Sequence, residues 1–246
     1  MDPKFKMPTE SVELPSKGLL YPKDSTLATG KLEMKYMTAK EEDILTNQNY
    51  IEKGTVIDKL LQSLIVDKGV DYGNLLAGDK NAIMIAARVL AYGKDYTFEY
   101  KGQSETVDLS VLENKPVADE LEKCEGKNEF TFNLPHTGNV VTFKLLTHND
   151  DKAIEREIKG LKRLNKDASP TSTTRFKHMI TSVNGMSEPK DVREFVENFL
   201  LAKDGRALRE EYSRLNPDID TTVEVNGKED VALPITLNFF WPDLQL

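Results

Sequence analysis

Residues 96–110 read Tyr-Thr-Phe-Glu-Tyr-Lys-Gly-Gln-Ser-Glu-Thr-Val-Asp-Leu-Ser. Two short runs rich in β-branched and aromatic residues flank Lys101-Gly102-Gln103, which predicts a β-hairpin. Just before it, about Asp79–Tyr92 is apolar nearly all round and predicts the most buried helix of the protein. A hairpin following directly on a buried helix sets the class as α+β. Helical segments are expected over 38–92 and 148–215, with hairpin modules over 94–147 and 220–241 and an extended N-terminal arm.

Outward from that hairpin, Glu129–Leu134 and Val140–Leu146 flank Pro135-His136-Thr137-Gly138-Asn139 and predict a second hairpin. A third is expected around Asn226-Gly227, the strongest short turn signal in the chain. Thr97-x-Glu99-x-x-Gly102 matches Thr222-x-Glu224-x-x-Gly227. Two readings stay open for that match, a duplicated module or a habit shared by hairpins. Lys31–Met37 alternates as a strand, and Thr38-Ala39-Lys40-Glu41 has the spacing of a capping box opening a helix through Leu45. Gly54–Val66 is amphipathic at helical spacing. Further helices are expected at His148–Lys166, with a narrow apolar stripe of Ile154, Ile158, Leu161 and Leu164, and at Thr173–Val183. Another opens at Ser187-Glu188-Pro189, with Ser187 as N-cap and Val192, Phe195, Val196, Phe199 and Leu200 as its apolar face. The last covers Arg206–Leu215, before a C-terminal stretch read as β. The expected organisation is an arm (1–30), a strand plus helical segment (31–93), a β-hairpin module (94–147), a helical segment (148–217), and a hairpin with an aromatic tail (218–246).

The 246 residues, 39% apolar and 30% charged, describe a folded globular chain with a wet surface. A net charge of −8 without a basic stripe argues against nucleic-acid or anionic-membrane partners. The longest apolar run, Ala82–Ala91, contains Arg88 and is about half the ~20 residues of a membrane span. Arg88 is expected to snorkel or to pair with a carboxylate. The N-terminal stretch has no apolar segment of a secretory signal, and a lone Cys124 suits a reducing compartment.

Catalytic motifs are missing from the sequence. There is no Gly-rich phosphate loop, no HExxH and no GxSxG elbow. His136, His148 and His178 are not at metal-ligand spacing, and Cys124 reads as a bystander. No catalytic residue, cofactor or metal ligand is therefore expected. What stands out is contact surface at the two ends. Leu19, Leu20 and Tyr21 leave a Pro/Gly-constrained turn, and Phe239, Phe240 and Trp241 cannot all share one face of a strand. These six are the candidate interface residues. Each group either folds back on its own domain, the direction the physical argument leans, or meets a neighbour.

Leu14-Pro15-Ser16-Lys17-Gly18-Leu19-Leu20-Tyr21-Pro22, the strand after it, and Thr38-Ala39-Lys40-Glu41-Glu42-Asp43-Ile44-Leu45 resemble the opening signature of the T-even-type phage baseplate hub family. Leu233-Pro234-Ile235 and Phe239-Phe240-Trp241-Pro242 resemble its other end. The resemblance is specific in 14–45 and 233–242 and covers the remainder in outline. It implies a non-enzymatic tail protein that helps build the central hub of a contractile tail's baseplate. Other hub proteins and the tape measure are its implied partners, in the host cytoplasm during assembly and in the tail baseplate of the virion. The alternatives are a chaperone for the tape measure or another hub protein, absent from the finished particle, and an enzyme with dispersed catalytic residues such as a cell-wall hydrolase. Where relatives carry a zinc-ribbon-like hairpin with cysteine pairs, this chain has Tyr100-Lys101-Gly102-Gln103-Ser104, so a hairpin held by packing without metal is expected.

Overall fold

The computed structural model describes residues 7–164, 170–225 and 227–241. The fold is α+β, and its middle is the helix α4 (Ala77–Tyr92), in which no residue is fully exposed. Before it come β1 (Thr9–Glu13), β2 (Lys31–Lys35), α1 (Ala39–Leu45), α2 (Gln48–Glu52) and α3 (Val56–Leu64). After it comes the expected hairpin, β3 (Asp95–Tyr100) and β4 (Gln103–Asp108). The second half holds β5 (Phe130–Asn133), β6 (Val140–Phe143), α5 (His148–Leu164), α6 (Thr171–Met179) and β7 (Ile180–Val183). It continues through α7 (Pro189–Asn198), α8 (Ala202–Leu215), the hairpin β8 (Thr222–Val225) and β9 (Lys228–Ala232), and a terminal turn of helix, α9 (Leu237–Phe240). Asn226, half of the expected Asn-Gly turn, lies outside the described residues, as do residues 165–166 of the helix expected at His148–Lys166.

The two halves run the same course. Each starts with an antiparallel hairpin, β1–β2 or β5–β6. Each then has a helix opened by a Thr/acid capping box, with Thr38 and Glu41 in one and Thr147 and Asp150 in the other. In each, a later helix delivers an isoleucine beside the hairpin's second strand: Ile65 opposite Met34, and Ile180 opposite Phe143. A long helix and a closing hairpin follow. The sequence carries the same periodicity. Leu75-Leu76-Ala77-x-Asp79-x-x-Ala82 returns as Leu200-Leu201-Ala202-x-Asp204-x-x-Ala207, and Leu14-Pro15-x-x-Gly18 returns as Leu134-Pro135-x-x-Gly138. Leu200 lies 125 residues after Leu75, and Gly227 lies 125 after Gly102. The hairpin match noted in the sequence is thus one part of a repeat with matching order of elements and matching caps.

Several elements differ from their sequence reading, each for a local reason. Within the arm, Thr9–Glu13 is a strand, because Val12 finds Leu32 across an antiparallel ladder that only the folded chain brings into register. The helix expected through Val183 stops at Met179; Ile180–Val183 is β-branched at both ends and pairs with β6 instead. Glu188, not Ser187, is the N-cap of α7, since Pro189 takes the first helical position next to it. Phe199 follows the end of that helix and is 58% exposed, so it does not join the apolar face. α8 begins one turn earlier than expected, at Ala202. The C-terminal aromatics sit on a helical turn rather than a strand. Pro234 cannot extend the β-ladder, and Thr236 N–H bonds Pro234 O at 3.2 Å as the chain turns. Among the described residues Arg88 pairs with no carboxylate. Its guanidinium donates to Gly93 O (2.9 Å) and Asp95 O (3.1 Å), between the rings of Tyr92 and Tyr96, and so ties the end of α4 to β3.

The halves meet where the first turn of α4 is crossed by residues 217–218. A Cβ added to Gly78 would lie 1.8 Å from Pro217 O, so only glycine fits there. Lys115 N–H donates to Asp218 O (2.8 Å) and the Asn81 amide to the Asp218 carboxylate (3.0 Å) at the same crossing. In an open helix Gly→Ala stabilises by about 1 kcal/mol. Here Gly78→Ala is expected to do the reverse and to lower the unfolding free energy by about 1–3 kcal/mol, read from urea denaturation; a stabilised variant would contradict this crossing.

Candidate functional site

The Leu14–Pro22 arm lies inward along the first turn of α4. Leu14, Leu20 and Tyr21 are buried and Leu19 is half-buried. Lys17 and Gly18 take positive φ, at 51° and 77°, and Gly18 sits against Ala28, where an added Cβ would be 2.4 Å from the carbonyl oxygen. The turn this makes aims Ser16 and Tyr21 at one carboxylate. Asp79 accepts from Ser16 N–H (2.9 Å), Ser16 Oγ (2.7 Å) and Tyr21 Oη (2.5 Å). Tyr21 Oη in turn accepts from Leu76 N–H (2.9 Å), one of the otherwise unpaired donors at the start of α4. Asp79 is fully buried, and no salt bridge reaches it among the described residues. Burial raises its pKa; the bonds from Tyr21 and Ser16 act in the opposite direction.

The second half repeats this latch. Asp204, at the third position of α8 as Asp79 is of α4, is buried and accepts from His136 N–H (2.8 Å) and Thr137 N–H (3.1 Å). Those amides belong to the Leu134-Pro135-x-x-Gly138 turn, the counterpart of the Leu14-Pro15-x-x-Gly18 turn. A third buried acid, Glu41, completes its capping box and also takes Lys35 Nζ and Ser63 Oγ, both at 2.7 Å. Burial opposes its charge, but Lys35 Nζ, the Thr38 hydroxyl and amide, and Ser63 Oγ prevail and hold its pKa down at about 2.

A polar seam joins the halves around Asp58. Its carboxylate takes Tyr72 Oη (3.0 Å) and Lys80 Nζ (2.8 Å) from the first half, and Lys152 Nζ (3.3 Å) from the second. His148 Nε2 stands 3.6 Å away, its ring edge-on to Tyr72. Burial and then the Lys80 charge hold the His148 pKa below its ordinary value, so the imidazole is neutral at neutral pH.

At the other end, Phe239 and Phe240 are core residues and Trp241 is half-buried. The Phe239 ring meets Tyr96 and Phe240 edge-on, and Tyr96 Oη donates to Pro234 O (2.8 Å). Of the six candidate interface residues, Leu20, Tyr21, Phe239 and Phe240 are therefore occupied within the chain, while Leu19 and Trp241 keep exposed surface. Both groups pack into one core, yet no hydrogen bond or ring contact among the described residues joins them. The arm lies at the start of α4, and α9 packs against that helix and against the hairpin that follows it.

Sequence reading missed Asp79, Asp204 and the Asp58 seam. The signal that finds the first two is the recurrence of Leu-Leu-Ala-x-Asp alongside Leu-Pro-x-x-Gly. Among the described residues no group of three His, Cys, Asp or Glu is placed to hold a metal ion, and no helix is long and apolar enough to cross a membrane. Burial raises the pKa of the Cys124 thiol, which makes it a poor nucleophile.

A family model described as T4 bacteriophage base plate protein matches residues 7–241, the span from the first strand to the tryptophan after α9. The chain belongs to that family. No curated protein and no solved structure matches it. This is a phage baseplate protein, and other baseplate proteins are its partners.

Removing the Tyr21 hydroxyl takes one donor from Asp79 and leaves Leu76 N–H without an acceptor. Tyr21→Phe is expected to cost about 1–3 kcal/mol for each group so left, whereas Tyr36→Phe, whose hydroxyl bonds exposed Glu10, stays within about 0.5 kcal/mol. Equal effects in chemical denaturation would mean that the latch contributes nothing.

Proposed function

We propose that this baseplate protein serves the central hub, as a subunit or as a factor that assembles it, and that it acts through protein contacts without catalysis. The observation that supports this reading is how its buried acids are used. Asp58, Asp79, Glu41 and Asp204 each accept two or more hydrogen bonds from the chain's own backbone or side chains. Catalytic carboxylates need a free face toward a substrate, and these are spent on holding turns and helix ends. The resemblance of Leu14–Leu45 and Leu233–Pro242 to the hub family supports the hub over other baseplate positions. Its partners are then other hub proteins and the tape measure, and Leu19 and Trp241 supply exposed apolar surface at the two ends.

Affinity capture of the tagged chain from infected cells, read by mass spectrometry, is expected to return hub proteins or the tape measure. Recovery of other baseplate proteins without either would overturn the hub assignment. Proteomics of purified virions separates the two roles, since a subunit persists in the particle and an assembly factor does not.

A further inference from the structure

The contact between the halves is made in one direction only. Leu76, just before α4, forms an antiparallel bridge with Thr147, just before α5. Ala77 N–H donates to Leu146 O (3.4 Å) and His148 N–H to Leu75 O (2.8 Å) on either side of it. By the internal repeat, Leu76 corresponds to Leu201 and Thr147 to Thr38. Two halves related by a two-fold would make this contact twice, with Leu201 opposite Thr38. That second contact is not made among the described residues. Leu76 is 1% exposed, and its counterpart Leu201 is 50% exposed with Phe199 beside it at 58%. The matching backbone groups, Ala202 N–H and Leu200 O on one edge and Ala39 N–H and Met37 O on the other, carry no hydrogen bond among the described residues. The contact is heterologous, and its second pairing is left unmade at Leu200–Ala202 and at Met37–Ala39.

We infer that a second copy of this chain fills these edges head to tail, with Leu200–Ala202 of one copy bridging Met37–Ala39 of the next. Charge on the two edges is complementary. Lys203 is exposed next to Leu201, where Arg206 is paired to Glu210 (2.8 Å), and Glu42 and Asp43 outnumber the one exposed cation, Lys40, next to Thr38. Within the chain the same contact carries the reverse arrangement, with Asp58 on the first face and Lys152 on the second. Lys203 stands where Gly78 stands in the first half, so the tight crossing of Pro217 has no counterpart. The contact between chains is the smaller of the two, and association is concentration-dependent. This inference does not rest on the hub reading.

The bridged pair is of the narrow, non-hydrogen-bonded kind, with Cα atoms about 4.5 Å apart, which suits a disulfide. In a Cys124→Ser background, Leu76→Cys with Thr147→Cys is expected to close a disulfide within one chain and serves as the control. Mixing full-length Leu201→Cys and Thr38→Cys chains under mild oxidation is expected to give a linked pair containing one of each. Absence of that pair while the control closes, or a product linked only through two copies of Leu201→Cys, overturns the inference. Light scattering keeps the test open should Thr38→Cys fail to fold. The unmodified chain is expected to exceed the mass of a single 27.8 kDa chain as concentration rises, and Leu201→Asp to return it to that mass. A wild-type chain that stays at one chain's mass up to its solubility limit is the contrary result.

Discussion

The Asp79 carboxylate, buried in the first turn of α4 with no ion-pair partner among the described residues, is the constraint around which the first half is arranged. A charge in that position is costly unless donors surround it. The donors come from 58 to 63 residues earlier in the chain, as the Ser16 amide, the Ser16 hydroxyl and the Tyr21 hydroxyl. All three are in place only when the Leu14–Pro22 turn lies in one register against α4. The positive φ of Lys17 and Gly18, and the close approach of Gly18 to Ala28, shape the turn so that it can do so. The Pro/Gly segment at the start of the protein is thus a latch on the central helix.

The protein solves the same problem twice. Asp204 holds the Leu134–Gly138 turn from the same position of α8, and each half adds a threonine–acid capping box with a lysine three residues before the threonine. The two units are joined by contacts that only one pairing of their faces supplies. These are the Leu76–Thr147 bridge, the Asp58 seam and the passage of Pro217 over Gly78. A structural role in an assembly fits such a design, because buried polar groups fully used in this way favour one arrangement over its alternatives.

Much of this was legible in local sequence. The all-round apolar pattern of α4, the hairpin turns at Gly102 and Gly138, and the Thr38/Glu41 spacing all report physics acting over a few residues, and the structure has each of them. What was not legible depends on partners far away in the chain. β1 exists because β2 pairs with it, β7 because β6 does, and neither segment is long or strongly patterned. Propensity favours a strand at Phe239-Phe240-Trp241; the fold overrules that preference by placing Pro234 ahead and seating both phenylalanines in the core. The latching acids were hidden because an aspartate in the first turn of a helix is ordinarily explained by the helix dipole alone.

Baseplate membership and the duplicated, latched architecture together describe a protein that is built to hold a shape. Native-state amide hydrogen exchange reads the two latches residue by residue. Amides in surface turns ordinarily exchange with little protection. Ser16, His136 and Thr137, whose N–H groups face Asp79 and Asp204, are expected to exchange with free energies close to those of the interiors of α4 and α8. Exchange of these three amides at the rate of unbonded turn residues would contradict the two latches.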